Sequence, residues 1–238
     1  MTRIAAIIPA YNEQDSITAV VNEILLVARN SGIEIIPVVV NDCSKDRTGE
    51  IIDALDCVAL HLPVNLGIGG AVQSGFRYAF ENDFDYAVQV DGDGQHPAES
   101  IPLLLQHAEE KKCDVVIGSR FIDNKGFQST AMRRAGINWF RRLNKLLTGV
   151  TVYDSTSGLR LLKKNVLSVV SEYYPDEYPE PEAIVIYARY GFRIGELQVE
   201  MRERQGGVSS INSLGAVYYM WKVTLGVLFT WIRLRGKK

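Results

Sequence analysis

Short apolar runs alternate with longer amphipathic segments along the first half of the chain. The runs are Ile4–Ile8, Ile35–Val40, Val58–Leu60, Tyr86–Val90 and Val115–Gly118. Runs of this length, apolar at nearly every position, are typical of strands buried on both faces of a parallel sheet. The segments between them space apolar residues at helical intervals and predict helices over residues 16–30, 48–55, 70–81 and 97–111. This alternation predicts an α/β fold with a doubly wound, mostly parallel sheet.

The second half of the chain is less regular. Beyond Ser119 the pattern loosens into helix, loop and strand, without an internal repeat or a linker rich in Gly, Pro or Ser. We therefore expect one domain over residues 1–210, with a soft boundary near residue 120 between halves 1–120 and 121–210. Residues 211–238 are predicted to form an apolar helix followed by a basic tail.

Polar side chains follow three of the predicted strands at the point where each strand ends. These clusters are Pro9–Glu13, Asn41-Asp42 and Asp91–Gln95. In open parallel sheets, ligands bind beyond the carboxyl ends of the strands, which all meet at one edge. The three clusters therefore predict a single ligand site at that edge.

The sequence Asp91-Gly92-Asp93 brings two carboxylates out of a rigid strand, two residues apart. Mg²⁺ and Mn²⁺ prefer oxygen ligands, and Mg²⁺ commonly binds through one or two carboxylates together with substrate phosphates. Gln95 adds an amide oxygen on the same turn. A metal held by Asp91, Asp93 and Gln95 would neutralise a diphosphate leaving group.

Composition narrows the class of protein. The 238 residues are 47% hydrophobic and 23% charged, which is typical of a globular domain. The formal net charge of −2 argues against general nucleic-acid binding. Three widely spaced cysteines suit a reducing compartment, and the strand at Ile4 leaves no room for a signal peptide, so we expect a cytoplasmic protein.

A set of motifs in a fixed order carries a family resemblance. They are IIPAYNE (7–13), VVNDCSKDRT (39–48), NLGIGGAVQSG (65–75), QVDGDGQHP (89–97), IGSRF (117–121), DSTSGLRLL (154–162), YPEPEAI (178–184) and RERQGGVSS (202–210). The ordered set resembles family 2 glycosyltransferases, and among them the dolichol- and polyprenyl-phosphate sugar synthases. The resemblance implies the GT-A fold, a Rossmann-like sheet flanked by helices, and inverting, metal-dependent transfer from a nucleotide diphosphate sugar to a polyprenyl phosphate.

The resemblance also implies roles for individual residues. Pro9, Tyr11, Glu13 and Asp42 would line the nucleoside pocket. Arg204, with Gly207 and Ser209, would clamp the diphosphate, and Arg120 would face the acceptor phosphate, because guanidinium pairs with phosphate bidentately. Two departures from the family pattern are Asn41, where relatives commonly have aspartate, and Gly94, where they often have a larger apolar residue.

The glycine-rich segment Gly67–Gly70 follows the third strand rather than the first. No acidic residue closes a βαβ unit about 20 residues later, so the segment does not predict a dinucleotide site. We expect Gly69 instead to let the backbone approach the sugar nucleotide.

The catalytic base is left open between two carboxylates. Asp154 aligns with the acidic residue that the family keeps near the transferred sugar, where it would orient groups or act as a base. Glu182 lies where many relatives with hydroxyl acceptors carry their base. His96 is interpreted as a structural or supporting neighbour of the metal residues rather than as a ligand.

Two segments indicate a membrane surface. Residues 131–147 predict a helix with five basic residues around Trp139 and Phe140. Residues 214–232 predict an apolar helix with Lys222 as its one charged residue. Together with Arg233 just beyond it, the helix carries a narrow polar stripe of Gly215, Tyr218, Lys222, Gly226, Thr230 and Arg233. We expect this helix at the cytoplasmic face of a membrane, with packing against the domain, a small membrane protein or a second subunit as the alternative.

The preferred interpretation is transfer of a hexose or N-acetylhexosamine to a polyprenyl phosphate with Mg²⁺ or Mn²⁺. The first alternative is a glycosyltransferase that extends a cell-surface glycan hydroxyl, for which Glu182 would matter more. A sugar nucleotidyltransferase is disfavoured, because the loop after the first strand is the acidic Tyr11-Asn12-Glu13 rather than a basic glycine loop. A non-catalytic assembly protein is disfavoured by the carboxylates and arginines themselves.

Overall fold

The computed structural model describes residues 2–122, 131–202 and 213–236. The strands within these ranges are β1 (Arg3–Ala10), β2 (Glu34–Asn41), β3 (Val58–His61), β4 (Tyr86–Gln89), β5 (Val115–Ser119), β6 (Arg160–Lys163) and β7 (Ile194–Gln198). The helices are α1 (Ile17–Ser31), α2 (Thr48–Asp53), α3 (Gly67–Glu81), α4 (Ser100–Lys111), α5 (Ala131–Thr148), α6 (Lys164–Val170), α7 (Pro179–Arg189) and α8 (Ser213–Arg233).

The seven described strands form one sheet in the order β3-β2-β1-β4-β6-β5-β7. Every pairing is parallel except those of β6, which runs antiparallel to both β4 and β5. The prediction of a mostly parallel α/β sheet is therefore confirmed. The antiparallel β6 was not predicted, because Arg160 at its start interrupts the apolar pattern that marks the other inner strands.

Each face of the sheet has its own core, because strand side chains alternate between faces. On one face, side chains such as Ile4, Ile8 and Val88 pack against α1 and α4. On the other face, Ile7, Val38 and Ala87 pack against α3, α6 and α7. Helices thus cover both faces, and the carboxyl edge of the parallel strands is left for a ligand.

Helix α3 begins at Gly67, three residues before the predicted start. The Asp42 carboxylate, just beyond β2, accepts the Leu66 and Gly67 backbone N–H groups at 2.7 and 2.9 Å. These are donors that a helix start leaves without an internal partner. The cap comes from a residue more than 20 positions away, so local sequence pattern could not reveal it.

Helix α8 packs along α7 and α5 through one face of buried side chains, Val223, Val227 and Thr230, and Leu234 just beyond its end is also buried. Its opposite face exposes Tyr218, Trp221, Phe229 and Ile232, which share a side of the helix by their spacing. Part of the predicted polar stripe contacts the protein: Lys222 pairs with Glu177, and Thr230 donates to Glu182. In the part of the chain that the structure describes, no helix combines the length and apolarity needed to cross a membrane.

Candidate active site

The carboxyl edge of the sheet gathers the residues that follow β1, β2 and β4. A Cβ built on Gly92 would lie 3.1 Å from the Pro9 carbonyl oxygen and 3.5 Å from Glu13 Cγ. The glycine therefore lets the turn after β4 approach the end of β1. The Tyr11 side chain stays 44% exposed at the same edge, and Pro9 is buried in β1. The structure thus brings the first and third predicted clusters into contact.

The side chains of the second cluster, Asn41 and Asp42, make hydrogen bonds within the protein. Both Asp42 oxygens hold the start of α3, as described above. The Asn41 side chain is buried, and its Oδ1 accepts the Ser44 N–H at 3.0 Å while its amide nitrogen lies 3.1 Å from His61 Nδ1. His61 Nε2 is in turn 2.9 Å from Asp53 Oδ1. The residue that departs from the family pattern is therefore one end of an Asn41–His61–Asp53 chain.

Gly69 has an internal role in this structure. Its N–H donates to the Asp176 carbonyl at 3.0 Å, and a Cβ at this position would lie 2.0 Å from the Pro175 carbonyl oxygen. Any larger residue would push the 175–176 backbone away from α3. The close backbone approach expected at Gly69 is present, but the approaching backbone belongs to the protein itself.

The turn from Asp91 to Gln95 is shaped by its own side chains. Asp93 is buried, and its Oδ1 accepts the Gln95 N–H at 3.0 Å. Gly94 has φ +76°, a left-handed backbone conformation that residues other than glycine rarely adopt. This conformation favours glycine at position 94. The Gln95 carbonyl accepts the Arg202 N–H at 3.0 Å, which fixes residue 202 beside the turn.

The fit of a divalent metal to this turn can be judged from its donor set. Among the described residues, no group of three or more His, Cys, Asp and Glu side chains is placed to hold a metal ion. The turn does offer the carboxylates of Asp91 and Asp93 and the amide oxygen of Gln95. These are oxygen ligands of the kind that Mg²⁺ prefers, and substrate phosphates would fill its remaining coordination positions. A Cβ built on Gly158 would lie 3.1 Å from Asp91 Oδ1, so the glycine leaves room for this carboxylate. The residues present therefore fit an ion that binds together with a diphosphate.

Arg120 and Asp154 form a buried ion pair next to this turn. Arg120 Nε and Nη2 donate to the two Asp154 oxygens at 2.7 and 2.8 Å, and the Arg120 backbone N–H donates to Oδ2 at 3.1 Å. Burial opposes the charge on Arg120, yet the bonds to Asp154 outweigh it and raise the pKa of the guanidinium. Both Asp154 oxygens are thus occupied, which favours the orienting role over the role of base.

The loop that carries Asp154 is held by Glu196 of β7. The Glu196 carboxylate accepts the Tyr153 and Asp154 backbone N–H groups at 2.7 and 3.0 Å. Burial raises the pKa of Glu196 despite these bonds, because the charged form is poorly solvated. Glu196 was absent from the sequence-based candidates, since a lone glutamate on a strand gives no signal of its own.

Glu182 is turned away from the pair and toward α8. It accepts a hydrogen bond from Thr230, and a Cβ built on Gly226 would lie 2.7 Å from its Oε2. Burial raises the pKa of the Glu182 carboxyl, and hydrogen bonds from Thr230 and Tyr173 offset part of that effect. The structure does not bring Glu182 together with Asp91, Arg120 and Asp154.

Glu180 is the α7 carboxylate that faces the charged cluster. Residues two apart on a helix point in different directions, so Glu180 and Glu182 cannot share a face. Burial raises the pKa of Glu180, and the charges that act on it are Arg160, Asp91 and Arg120. Glu180 was not among the sequence-based candidates, because the repeated Pro-Glu of residues 179–182 does not show which of its two glutamates faces the site.

Arg160 lies fully buried beneath the cluster and was also missed. Its Nε and Nη2 donate to the Ser157 and Ser155 carbonyls at 2.8 and 3.1 Å. A fully buried arginine is rare unless it is paired or hydrogen-bonded. It places a permanent positive charge below the site. Arg204, Gly207 and Ser209 lie outside the described residues.

The fold of this chain is of the GT-A type, which two solved structures share. Glucosyl-3-phosphoglycerate synthase from Mycobacterium tuberculosis, solved with Mn²⁺, UDP and glucosyl-3-phosphoglycerate, is similar over 100% of this chain and 81% of its own, with a TM-score of 0.70 and 19% identity. S. aureus TarS 1–349 in complex with UDP-GlcNAc is similar over 95% of this chain and 67% of its own, with a TM-score of 0.64 and 18% identity. These structures share the fold of this chain.

The chain belongs to glycosyl transferase family 2, whose profile matches residues 5–170. A UDP-N-acetylglucosamine–dolichyl-phosphate N-acetylglucosaminyltransferase of Methanococcus voltae is 32% identical over 214 residues, which are 82% of this chain and 83% of the relative. An undecaprenyl-phosphate mannosyltransferase of Micrococcus luteus is 30% identical over 222 residues, 88% of each chain. The protein is therefore a glycosyltransferase enzyme, and the nucleotidyltransferase and non-catalytic alternatives fall away.

Proposed function

We propose that this protein transfers a sugar from a nucleotide diphosphate to a polyprenyl phosphate. The observation that carries the proposal is the hydrogen bonding of the Arg120 guanidinium. Asp154 accepts from its Nε and Nη2, and Thr156 Oγ1 also accepts from Nη2 at 3.1 Å, while Nη1 makes no hydrogen bond to any residue within 2–122, 131–202 and 213–236. A guanidinium held in place through Nε and Nη2, with Nη1 left as a donor, is suited to an acceptor phosphate. Both relatives named above act on lipid phosphates, according to their names.

A phosphate acceptor also agrees with the contacts of the two carboxylates considered as bases, Asp154 and Glu182. A phosphate monoester has a second pKa of about 6 and is largely dianionic near pH 7, so it needs positioning more than deprotonation. Both Asp154 oxygens accept hydrogen bonds from Arg120, and Glu182 faces α8. In this proposal Arg120 orients the acceptor oxygen toward the sugar, with inversion, and Asp154 keeps Arg120 in place.

The donor would bind at the ends of β1 and β4. Tyr11 offers an exposed aromatic ring for the nucleoside, flanked by Pro9 and Glu13, with Asp42 supporting α3 behind them. Asp91, Asp93 and Gln95 would hold Mg²⁺ or Mn²⁺, which when bound would neutralise charge on the departing diphosphate. Arg204 would add a cationic partner for the diphosphate, as the family resemblance implies.

One assay tests the proposal directly. Purified protein is incubated with a panel of UDP- and GDP-sugars and a short polyprenyl phosphate, and the lipid-linked sugar is detected by mass spectrometry. The matched control acceptor is the same polyprenol without its phosphate. We expect product with the phosphate and none with the alcohol. Transfer to a glycan hydroxyl, with no transfer to the lipid phosphate, would reject the proposal in favour of the glycan-extending alternative.

The exposed face of α8 supports a location at a membrane surface, and we propose that this is the cytoplasmic face. Trp221 and Phe229 are 67% and 65% exposed, and Trp139 and Leu146 of the neighbouring α5 are also exposed. Phe140, the other aromatic residue predicted for this surface, is instead buried against α8. The cations Arg134, Arg233 and Arg235 lie on the exposed surfaces of these helices and their ends. Apolar side chains rimmed by cations are typical of helices that lie in the plane of an anionic membrane.

We expect the double substitution Trp221→Ser, Phe229→Ser to release the protein from vesicles that contain anionic lipids. The control is Leu26→Ser, Leu103→Ser, which removes two side chains of 56% and 54% exposure on α1 and α4. Co-sedimentation should fall by roughly tenfold or more for the first pair, because two large apolar side chains leave the interface, and stay unchanged for the second. If both variants bind vesicles equally, or if the first variant loses a dimer while its vesicle binding is unchanged, the exposed face of α8 binds something other than a membrane.

A further inference from the structure

The imidazole of His96 contacts Asp91 at two points. His96 is buried, and its Nδ1 accepts the Asp91 backbone N–H at 3.0 Å. Its Nε2 lies 3.6 Å from Asp91 Oδ2. One ring therefore lies against both the backbone and the carboxylate of the same residue.

These contacts fix the chemical state of the ring. A neutral imidazole has one nitrogen that accepts and one that donates. Because Nδ1 accepts from the Asp91 backbone, the proton is on Nε2, and this N–H faces the carboxylate. Neither nitrogen then has a lone pair for a cation, so His96 cannot be a ligand in this arrangement.

Gly158 and Gln89 lie beside the Asp91 carboxylate, and Gly158 also lies close to the His96 ring. A Cβ on Gly158 would lie 3.1 Å from Asp91 Oδ1, 3.0 Å from Gln89 Nε2 and 3.4 Å from His96 Cε1. The Gly158 backbone does not have a positive φ, so the glycine provides space rather than an unusual conformation. The buried Gln89 amide makes no hydrogen bond within the described residues, which leaves two polar atoms available beside the carboxylate.

We propose that His96 is a positioning residue that presents the Asp91 carboxylate to the divalent cation, in a space kept open by Gly158. The proposal rests on the metal site of the proposed function. Supporting partners of metal ligands fix the orientation of the ligand, and their loss typically weakens metal binding by about 10–100-fold. His96 would act on Asp91 in two ways. Its Nδ1 holds the Asp91 backbone N–H and so shapes the turn, and its Nε2–H faces the Asp91 carboxylate.

The test measures Mn²⁺ affinity by electron paramagnetic resonance, in the presence of UDP or GDP tried in turn. His96→Phe removes both contacts and should weaken binding by roughly tenfold or more. His96→Asn can restore an acceptor near the position of Nδ1 and should recover part of the loss. His107→Phe, a histidine of α4 outside the site, is the control and should bind Mn²⁺ like the wild type. Circular dichroism checks that each variant is folded.

Further outcomes distinguish failure of the positioning role from failure of the metal site. Gly158→Ala should weaken Mn²⁺ binding even if His96→Phe fails to fold, because its Cβ would crowd Asp91. Unchanged affinity in folded His96 and Gly158 variants would overturn the positioning role, and a nitrogen hyperfine coupling from a directly bound histidine would overturn it in another way. If the wild type itself binds no Mn²⁺, or Asp93→Asn binds as well as the wild type, the metal site of the proposed function fails instead.

Discussion

Replacing Asp93 with asparagine should reduce turnover by about a thousandfold or more while the protein stays folded. The side-chain oxygen of asparagine can still accept the Gln95 N–H, so the turn keeps its shape. The substitution takes one negative charge and one carboxylate oxygen from the metal site, which should weaken metal binding. Metal stabilisation of the departing diphosphate contributes on the order of several kcal/mol, each 1.36 kcal/mol being about tenfold in rate. The rate of lipid-linked product formation measures the effect.

The control for this substitution is Asp83→Asn, which changes an exposed aspartate that pairs with Lys164 at the protein surface. It should leave turnover unchanged. EDTA should reproduce the Asp93→Asn defect in the wild type, and added Mn²⁺ or Mg²⁺ should reverse it. Full activity of the wild type in chelator would contradict metal dependence.

Replacing Arg120 with methionine is expected to affect both stability and acceptor use. Asp154 would be left as an unpaired buried carboxylate, and the free energy of unfolding should fall by about 3–5 kcal/mol. Loss of a charged phosphate partner should cost about 2–5 kcal/mol of acceptor binding, which is roughly a 30-fold or larger rise in KM for the polyprenyl phosphate. Urea unfolding and steady-state kinetics measure the two effects separately.

A double variant separates structure from function at this pair. Arg120→Met with Asp154→Leu removes both charges and should regain most of the lost stability, because a buried ion pair can often be replaced by apolar side chains. It should not regain acceptor use. Glu182→Gln is the comparison within α7 and should leave the kinetics nearly unchanged, since its bond is to Thr230 of α8. Loss of activity in Glu182→Gln, with a mild effect in Arg120→Met, would favour a hydroxyl acceptor and a base at Glu182.

The parts of the fold that sequence predicted are those governed by local pattern. Strands β1 to β5 and the helices between them follow from runs and periods that each segment carries by itself. The start of α3 depends on Asp42, and β6 depends on partners to either side of Arg160, so neither is visible locally. Elements α6, α7 and β7 lie where the pattern loosens, and were not assigned for the same reason.

The candidate site shows the same division. Asp91 and Asp93 follow a predictable strand, so their place at the sheet edge could be inferred from the sequence. The choice between Glu180 and Glu182 depends on how α7 is rotated against α8 and the sheet, which the packing of Val185 and Val227 decides. Gly69 was expected to approach the sugar nucleotide, but its missing side chain makes room for the 175–176 backbone. Sequence alone could not distinguish that backbone from a ligand.

Asn41 has a consequence for how this sequence can vary. In the Asn41–His61–Asp53 chain, the Asn41 amide donates to His61 Nδ1, and His61 Nε2 donates to Asp53. An aspartate at position 41 would set an acceptor against an acceptor unless the histidine gained a second proton. Positions 41 and 61 are therefore expected to co-evolve, so that homologues with aspartate at position 41 tend to have a residue other than histidine at position 61. Replacing one of these two residues alone should be tolerated less well than replacing both.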